Sequence, residues 1–317
     1  MSNIFLSPFL SEKYGRPIFL VDETKNPTGS HKDRSFGAWL KKIKEEGSIK
    51  ELVISSSGNA AAAAAYFAGQ FGLSLHIFLS EKIIPDKLEQ IKKIAASHPL
   101  LPEEGCPDIM SGRGGGREKK NNLITTPNPL LEKEGSINIK LVARPKFEAA
   151  QAAQKNGWFW LRSSVNDDAL LGYESLAEEI EEKVKNPGSI FIPSSSGTLA
   201  VGLHKFLKIK PAFHLVQTTA VNTLVRDFDQ DFVPEKKSLA GAIVDLIGQR
   251  RSEVVEIIKS SGGFGWAINN DEIKEARAEL FGAGIECSYT SALGLAGLKK
   301  AQKKNFEVKE PIVILIT

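Results

Sequence analysis

Residues 26 to 34 read Asn26-Pro27-Thr28-Gly29-Ser30-His31-Lys32-Asp33-Arg34, and they put a lysine where a turn enters a helix. The free N–H groups of a helix start carry partial positive charge, so an ammonium group is disfavoured there and the amine pKa is expected to fall. A neutral amine attacks carbonyl carbon, and imine formation is the chemistry this placement invites. The plain alternative is a solvated lysine beside a Pro-Gly turn. Two serine-glycine turns bear on that choice. Ser194-Ser195-Ser196-Gly197-Thr198 joins an apolar run to a helix, so its backbone N–H groups can converge on an anion while its hydroxyls add donors. It lacks the Gly-Lys-Ser/Thr ending of a nucleotide loop and the spacing of a dinucleotide fingerprint. An ordinary strand-to-helix turn with an N-cap serine is the alternative reading. The second turn is Ser55-Ser56-Ser57-Gly58-Asn59.

An imine-forming lysine together with a metal-free phosphate cup points to a phosphorylated aldehyde as cofactor, with pyridoxal 5′-phosphate the obvious one. Strands and helices must aim these groups. Pro17 to Val21 is extended, and Phe36, Trp39, Leu40 and Ile43 recur at helical spacing until Gly47 stops them. Apolar strand runs at 51–54, 75–79, 139–142, 158–161, 189–192, 213–216 and 311–316 alternate with helical stretches at 60–71, 85–96, 147–156, 172–185, 199–207, 271–281 and 291–302. That alternation predicts an α/β chain with parallel sheets covered on both faces. Ligands of such sheets lie beyond the carboxyl ends of the strands, where both serine-glycine turns fall. His76 alternates with apolar neighbours and is expected to be a packed side chain. Arg250 and Arg251 suggest a solvated helix, as do Lys299-Lys300 and Lys303-Lys304.

Residues 98 to 138 break the pattern with five prolines, a Gly112-Arg113-Gly114-Gly115-Gly116-Arg117 run and no sustained apolar period. They are expected to be a disordered insertion. Pro99 to Gly105 and Pro129 to Gly135 are near-repeats that bound it. An arginine-glycine nucleic-acid segment is the alternative, and so short a basic run rarely binds alone.

The chain of 317 residues has room for two domains, and its 25% charged and 42% hydrophobic residues are those of an ordinary globular protein. A net charge of +3 spread along the chain gives no reason to expect nucleic acid or an anionic membrane as partner. Cys106 and Cys287 form neither a metal spacing nor a disulfide framework, so no metal is expected. The N-terminus lacks a secretory pattern and no apolar stretch is long enough to span a bilayer, so a cytoplasmic protein is expected.

Thr28 to Arg34, Ser56-Ser57-Gly58-Asn59-Ala60-Ala61 and the tail Val313-Ile314-Leu315-Ile316-Thr317 resemble the fold type II pyridoxal-phosphate enzymes. That group includes threonine synthase, serine/threonine dehydratase, cysteine synthase and the tryptophan synthase β chain. Ser163-Ser164-Val165-Asn166 and Glu286 to Ala292 match further segments. The Lys32 stretch is most similar to threonine synthase, with His31 where an aromatic residue is usual. The resemblance implies two open parallel-sheet α/β domains, residues 1–165 and 166–317, with the cofactor between them. By position it makes Lys32 the catalytic, cofactor-bearing lysine and Asn59 the partner of the pyridine hydroxyl. Ser194, Ser195, Ser196, Gly197 and Thr198 become the phosphate loop. Ser56, Ser57, Gly58 and Asn59 would clamp the substrate carboxylate, and Thr317 would offer its hydroxyl to the pyridine nitrogen. A hydroxyl does not protonate that ring as a carboxylate would, so elimination or replacement is favoured over transamination. Relatives continue beyond this point, so either an open cofactor site or a free carboxylate near the ring is expected.

Some positions depart from the threonine synthase pattern. Ala60 and Ala169 stand where a hydroxyl residue and an arginine usually hold substrate phosphate, and Asp167 and Asp168 add negative charge nearby. A phosphorylated substrate is disfavoured on this ground. The expected activity is proton abstraction by Lys32 from a small amino acid, followed by elimination or replacement at the β or γ carbon. A serine/threonine dehydratase-like lyase is an alternative, and so is a degenerate cofactor-binding protein without turnover. A nucleotide-binding module lacks its lysine. A homodimer is left open.

Overall fold

The computed structural model describes residues 3–56, 58–97 and 135–317. In chain order it contains β1 (Asn3–Leu6), α1 (Pro8–Tyr14), β2 (Ile18–Asp22), α2 (Lys32–Glu46), β3 (Glu51–Ser55), α3 (Asn59–Phe71), β4 (Ser74–Ser80), α4 (Pro85–Ala96), β5 (Ile137–Val142) and α5 (Pro145–Asn156). It continues with β6 (Phe159–Trp160), α6 (Tyr173–Lys183), β7 (Ser189–Pro193), α7 (Thr198–Phe206), β8 (Ala212–Thr218), α8 (Arg251–Ser261), β9 (Gly265–Ile268), α9 (Asn270–Gly282), α10 (Leu293–Lys303) and β10 (Ile312–Ile316). The strands form a six-stranded sheet ordered β1-β2-β10-β7-β8-β9 and a four-stranded sheet ordered β5-β4-β3-β6. Every pairing is parallel except β1 with β2. β7 and β10 are buried throughout, as sheets covered on both faces require.

The division of the chain differs from a cut after residue 165. β1 and β2 belong to the six-stranded sheet with the late strands, so the chain leaves that sheet, builds the smaller one and returns. β10 is the reason: its unbroken run Ile312-Val313-Ile314-Leu315-Ile316 pairs with β2 on one side and β7 on the other, which leaves the first strands no other place. α2 bridges the two sheets. Its first residue follows β2, while Phe36, Trp39, Leu40 and Ile43 pack with the alanines of α3 in the core of the smaller sheet. Complete burial of Phe36 and Trp39 stabilises this joint by about 2–3 kcal/mol each. The alanines of α3 keep its surface low enough for α2 to lie close.

Several sequence expectations change. Of the expected insertion, 98–134 lies outside the described residues, and regular structure resumes at Ile137, two residues early, because β5 pairs with β4 over its whole length. The expected strand 158–161 shrinks to the half-buried pair Phe159–Trp160, since the Trp158 ring turns instead to stack on His76 at 3.6 Å. His76 is packed as expected, with Glu51 at 2.9 Å from its Nε2. Lys300 is not solvated: it is 7% exposed, and its ammonium meets Asp229 at 2.6 Å and donates to the Ala267 carbonyl. β9 was not read from the sequence, because four residues are too few to show a period.

Candidate active site

The register of the large sheet brings the first wall of the site together. Ile316 pairs with Asp22, so the turn that follows β2 and the residue that follows β10 emerge side by side. The turn is held from within: Thr28 donates its backbone N–H and its hydroxyl to Asp33 at 2.8 and 2.6 Å. Fully buried Glu23 accepts from Asn26 and from Arg34, which also reaches Glu179 of α6. Gly29 supplies the positive φ of 84° that the turn needs. Lys32 is the first residue of α2 and faces a cavity of about 760 Å³.

Burial lowers the pKa of Lys32 to about 8, the Arg250 guanidinium pushes in the same direction, and Asp245 opposes them. Desolvation and a buried arginine, rather than the helix N-terminus, carry the effect. Arg250 is 3% exposed, bonded to Asp167 and the Asn166 carbonyl and paired with Glu253, and its Nε is buried without an acceptor among the described residues. It is no part of a solvated helix. Nothing in the dipeptide Arg250-Arg251 distinguishes it, since only the packing of α8 beneath the 194–198 loop turns the first arginine inward.

That loop forms the second wall. Gly197 has φ 84°, and a Cβ there would stand 2.6 Å from the Val254 side chain of α8. Gln217 donates to the carbonyls of Ser194 and Ser195. The Ser195 hydroxyl accepts from the N–H groups of Val244 and Asp245 at 3.1 and 3.2 Å, so it braces a neighbouring loop. Thr198 shares a 2.8 Å bond with Ser196 and donates to the Ser163 carbonyl. Among the described residues, the N–H groups of Ser195, Ser196, Gly197 and Thr198 have no acceptor. Unpaired donors at the N-terminus of a nine-residue helix are a fitted receptacle for a phosphate.

The third wall comes from the smaller sheet. Ser56, Gly58 and Asn59, where β3 passes into α3, line the same cavity, as do Ala60 and Ser163. Ser57 lies outside the described residues. Ala169 is fully buried away from this wall, with its carbonyl accepting from Ser35 at 2.6 Å.

Thr317 closes the floor. Its hydroxyl accepts from the His31 N–H at 3.0 Å and lies 2.5 Å from His31 Nδ1. Burial and neighbouring Lys32 hold His31 well below its ordinary pKa, so the ring is neutral. After accepting the backbone N–H the Thr317 hydroxyl keeps one proton and one lone pair, so it meets Nδ1 as donor or as acceptor according to which ring nitrogen carries the His31 hydrogen.

A lysine whose amine pKa is lowered thus faces, across one cavity, N–H groups with no protein acceptor among the described residues, and this is the receptacle an aldehyde phosphate requires. A match to the pyridoxal-phosphate dependent enzymes runs over residues 2–317. The chain belongs to that family. Relatives of this pyridoxal-phosphate protein include threonine synthase from Methanocaldococcus jannaschii, 22% identical over 95% of this chain and 69% of the relative. A serine dehydratase-like protein from Homo sapiens is 42% identical over 61% of this chain and 48% of its own. The chain thus spans about half the length of the human relatives it matches. Maize serine racemase superposes with a TM-score of 0.74 at 16% identity, covering 100% of this chain and 87% of the other. A threonine deaminase from Solanum lycopersicum gives 0.73 at 16%, covering 100% and 78%. These likenesses establish the fold type II architecture. No helix among the described residues is long and apolar enough to cross a membrane.

Proposed function

We propose that this pyridoxal-phosphate protein acts on a small amino acid as a threonine synthase-like or serine/threonine dehydratase-like enzyme, with Lys32 moving the α-proton and bond changes following at the β or γ carbon. The observation that carries this reading is the placement of Lys32, at about 8, across one cavity from the four unpaired N–H groups of residues 195–198. When bound, the cofactor supplies an electron sink for the substrate α-carbon. The chain does the rest. Residues 195–198 take the phosphate, with Ser194 fixing the loop to β8 through its N–H bond to the Val216 carbonyl. Asn59 stands at the start of α3 to meet the ring hydroxyl, and Ser56 and Gly58, which line the cavity, would take the substrate carboxylate together with Ser57. An amine of pKa near 8 accepts a proton close to neutrality, as a general base must. Thr317 offers a hydroxyl rather than a carboxylate, which favours elimination or replacement over transamination.

Borohydride reduction of the cofactor-loaded protein followed by peptide mapping should place the pyridoxyl group on Lys32, and a label on another lysine would refute the assignment. Adding serine, threonine or homoserine should change the cofactor absorbance. A spectrum that no amino acid changes would favour binding without turnover. Because racemases share the fold, exchange of the α-proton with solvent should be followed alongside product formation: exchange without elimination or replacement would move the activity to racemisation.

A further inference from the structure

We propose that the preferred amino acid carries an anionic group on its side chain, a phosphate or a carboxylate, held by Lys87, Arg144, Lys146 and Arg162. This rests on the reading of the cavity as an amino-acid site. The four cations come from α4, the start of α5 and the segment after β6, and all line the cavity on the side of the smaller sheet. Asp245 is the single carboxylate residue among the described lining residues, and it belongs to the large-sheet side beside Ser195. None of the four cations makes an ion pair among the described residues.

Two of them are stacked on aromatic rings, Arg162 half-buried and Arg144 exposed. The Arg162 guanidinium lies 4.7 Å from the centre of the Trp160 ring, and that of Arg144 lies 4.4 Å from the centre of the Phe147 ring. Stacking on an aromatic face fixes the plane of a guanidinium while leaving its N–H groups free to fork onto an oxyanion. The other anions of the reaction have partners elsewhere. The cofactor phosphate has the N–H groups of residues 195–198, and the α-carboxylate has the turn at Ser56, Gly58 and Asn59. Several like charges around one cavity repel each other, and a second anion from the ligand relieves that repulsion. Ala60 lines the same side of the cavity without adding a donor, and Ala169 is buried away from it, so the anion would be held by the four cations and not at those two positions.

The test is titration of the cofactor-loaded protein with three matched pairs: L-aspartate against L-asparagine, O-phospho-L-serine against L-serine, and O-phospho-L-homoserine against L-homoserine. Calorimetry gives Kd and absorbance gives the response of the cofactor. At least one anionic member should bind about tenfold or more tightly than its uncharged counterpart, with a ratio that falls as salt rises. The aspartate and phosphate arms show which anion is meant. Arg144→Gln/Arg162→Gln should remove most of the ratio. Ratios near one, or a ratio the double variant leaves intact, would overturn the proposal even where uncharged amino acids change the absorbance, and the functional reading would then stand. A preference for anions without any change in absorbance would uphold the anion site and sink turnover. If no amino acid binds, both fall.

Discussion

Replacing Arg250 with methionine separates two causes that burial normally mixes. The change keeps an unbranched stem and removes the charge. Lys32 lies at about 8 rather than the ordinary 10.5, with burial the larger cause and Arg250 the next. Removing the guanidinium therefore recovers part of that interval, on the order of one pH unit for a neighbouring charge, or ~1.4 kcal/mol. The fold should tolerate it. The carboxylates released are solvated, the Asp167 side chain being 76% and that of Glu253 47% exposed, and a buried Nε without an acceptor disappears. The sign for stability follows from proton binding. Between pH 8 and 10.5 the unfolded chain holds a proton that the folded chain has released at Lys32, so this residue makes the cofactor-free protein more stable as pH rises across that window. Below pH 8 its cost is constant, about 3 kcal/mol. Half-buried Tyr14 and buried Cys287 oppose this at high pH, since partial burial with the Glu279 carboxylate raises the first, burial raises the second, and the unfolded chain loses their protons first. Their effect is common to both proteins. The assay is the pH dependence of Lys32 labelling by an uncharged amine reagent in the cofactor-free protein, read by peptide mass. The midpoint should move up from about 8 by about one unit in Arg250→Met, and the high-pH gain in Tm should shrink. A folded variant whose midpoint stays put or falls would refute the electrostatic account.

Gly197→Ala combines a positive φ with a Cβ 2.6 Å from Val254, so a loss of about 2 kcal/mol or more is expected in thermal unfolding, with weaker binding of pyridoxal phosphate than of pyridoxal relative to the parent. Ser195→Ala leaves the N–H groups of Val244 and Asp245 without their acceptor and should cost about 1 kcal/mol while raising the Kd for pyridoxal phosphate. His214, stacked on Phe191 at 4.4 Å, is held neutral by burial with a pKa of about 3. Its folded value is below the unfolded 6.5, so stability is full above that pH and is lost on acidification, by roughly 3 kcal/mol at pH 4.5. His214→Phe should flatten that part of the acid unfolding curve, and an unchanged curve would refute the assignment.

The residues proposed to carry the chemistry were legible because each is local. A lysine at a helix start, a serine-glycine turn between strand and helix, and asparagine opening an alanine-rich helix are all set by neighbours within a few positions, where helix starts and tight turns are decided. The strand and helix alternation was legible for the same reason, and with it the α/β class and the strand ends where the loops had to lie. What the sequence could not state was which strands share a sheet. The early strand 18–22 and the last strand 312–316 are far apart in the chain, and their pairing depends on burying the apolar run of β10 on both edges and both faces. That pairing sets Thr317 against His31 and makes the cut after residue 165 fail. Arg250 shows the same limit in charge. An arginine before a helix reads as a solvated side chain until α8 packs under the 194–198 loop, and only burial gives its charge a reach to Lys32 that water would otherwise screen.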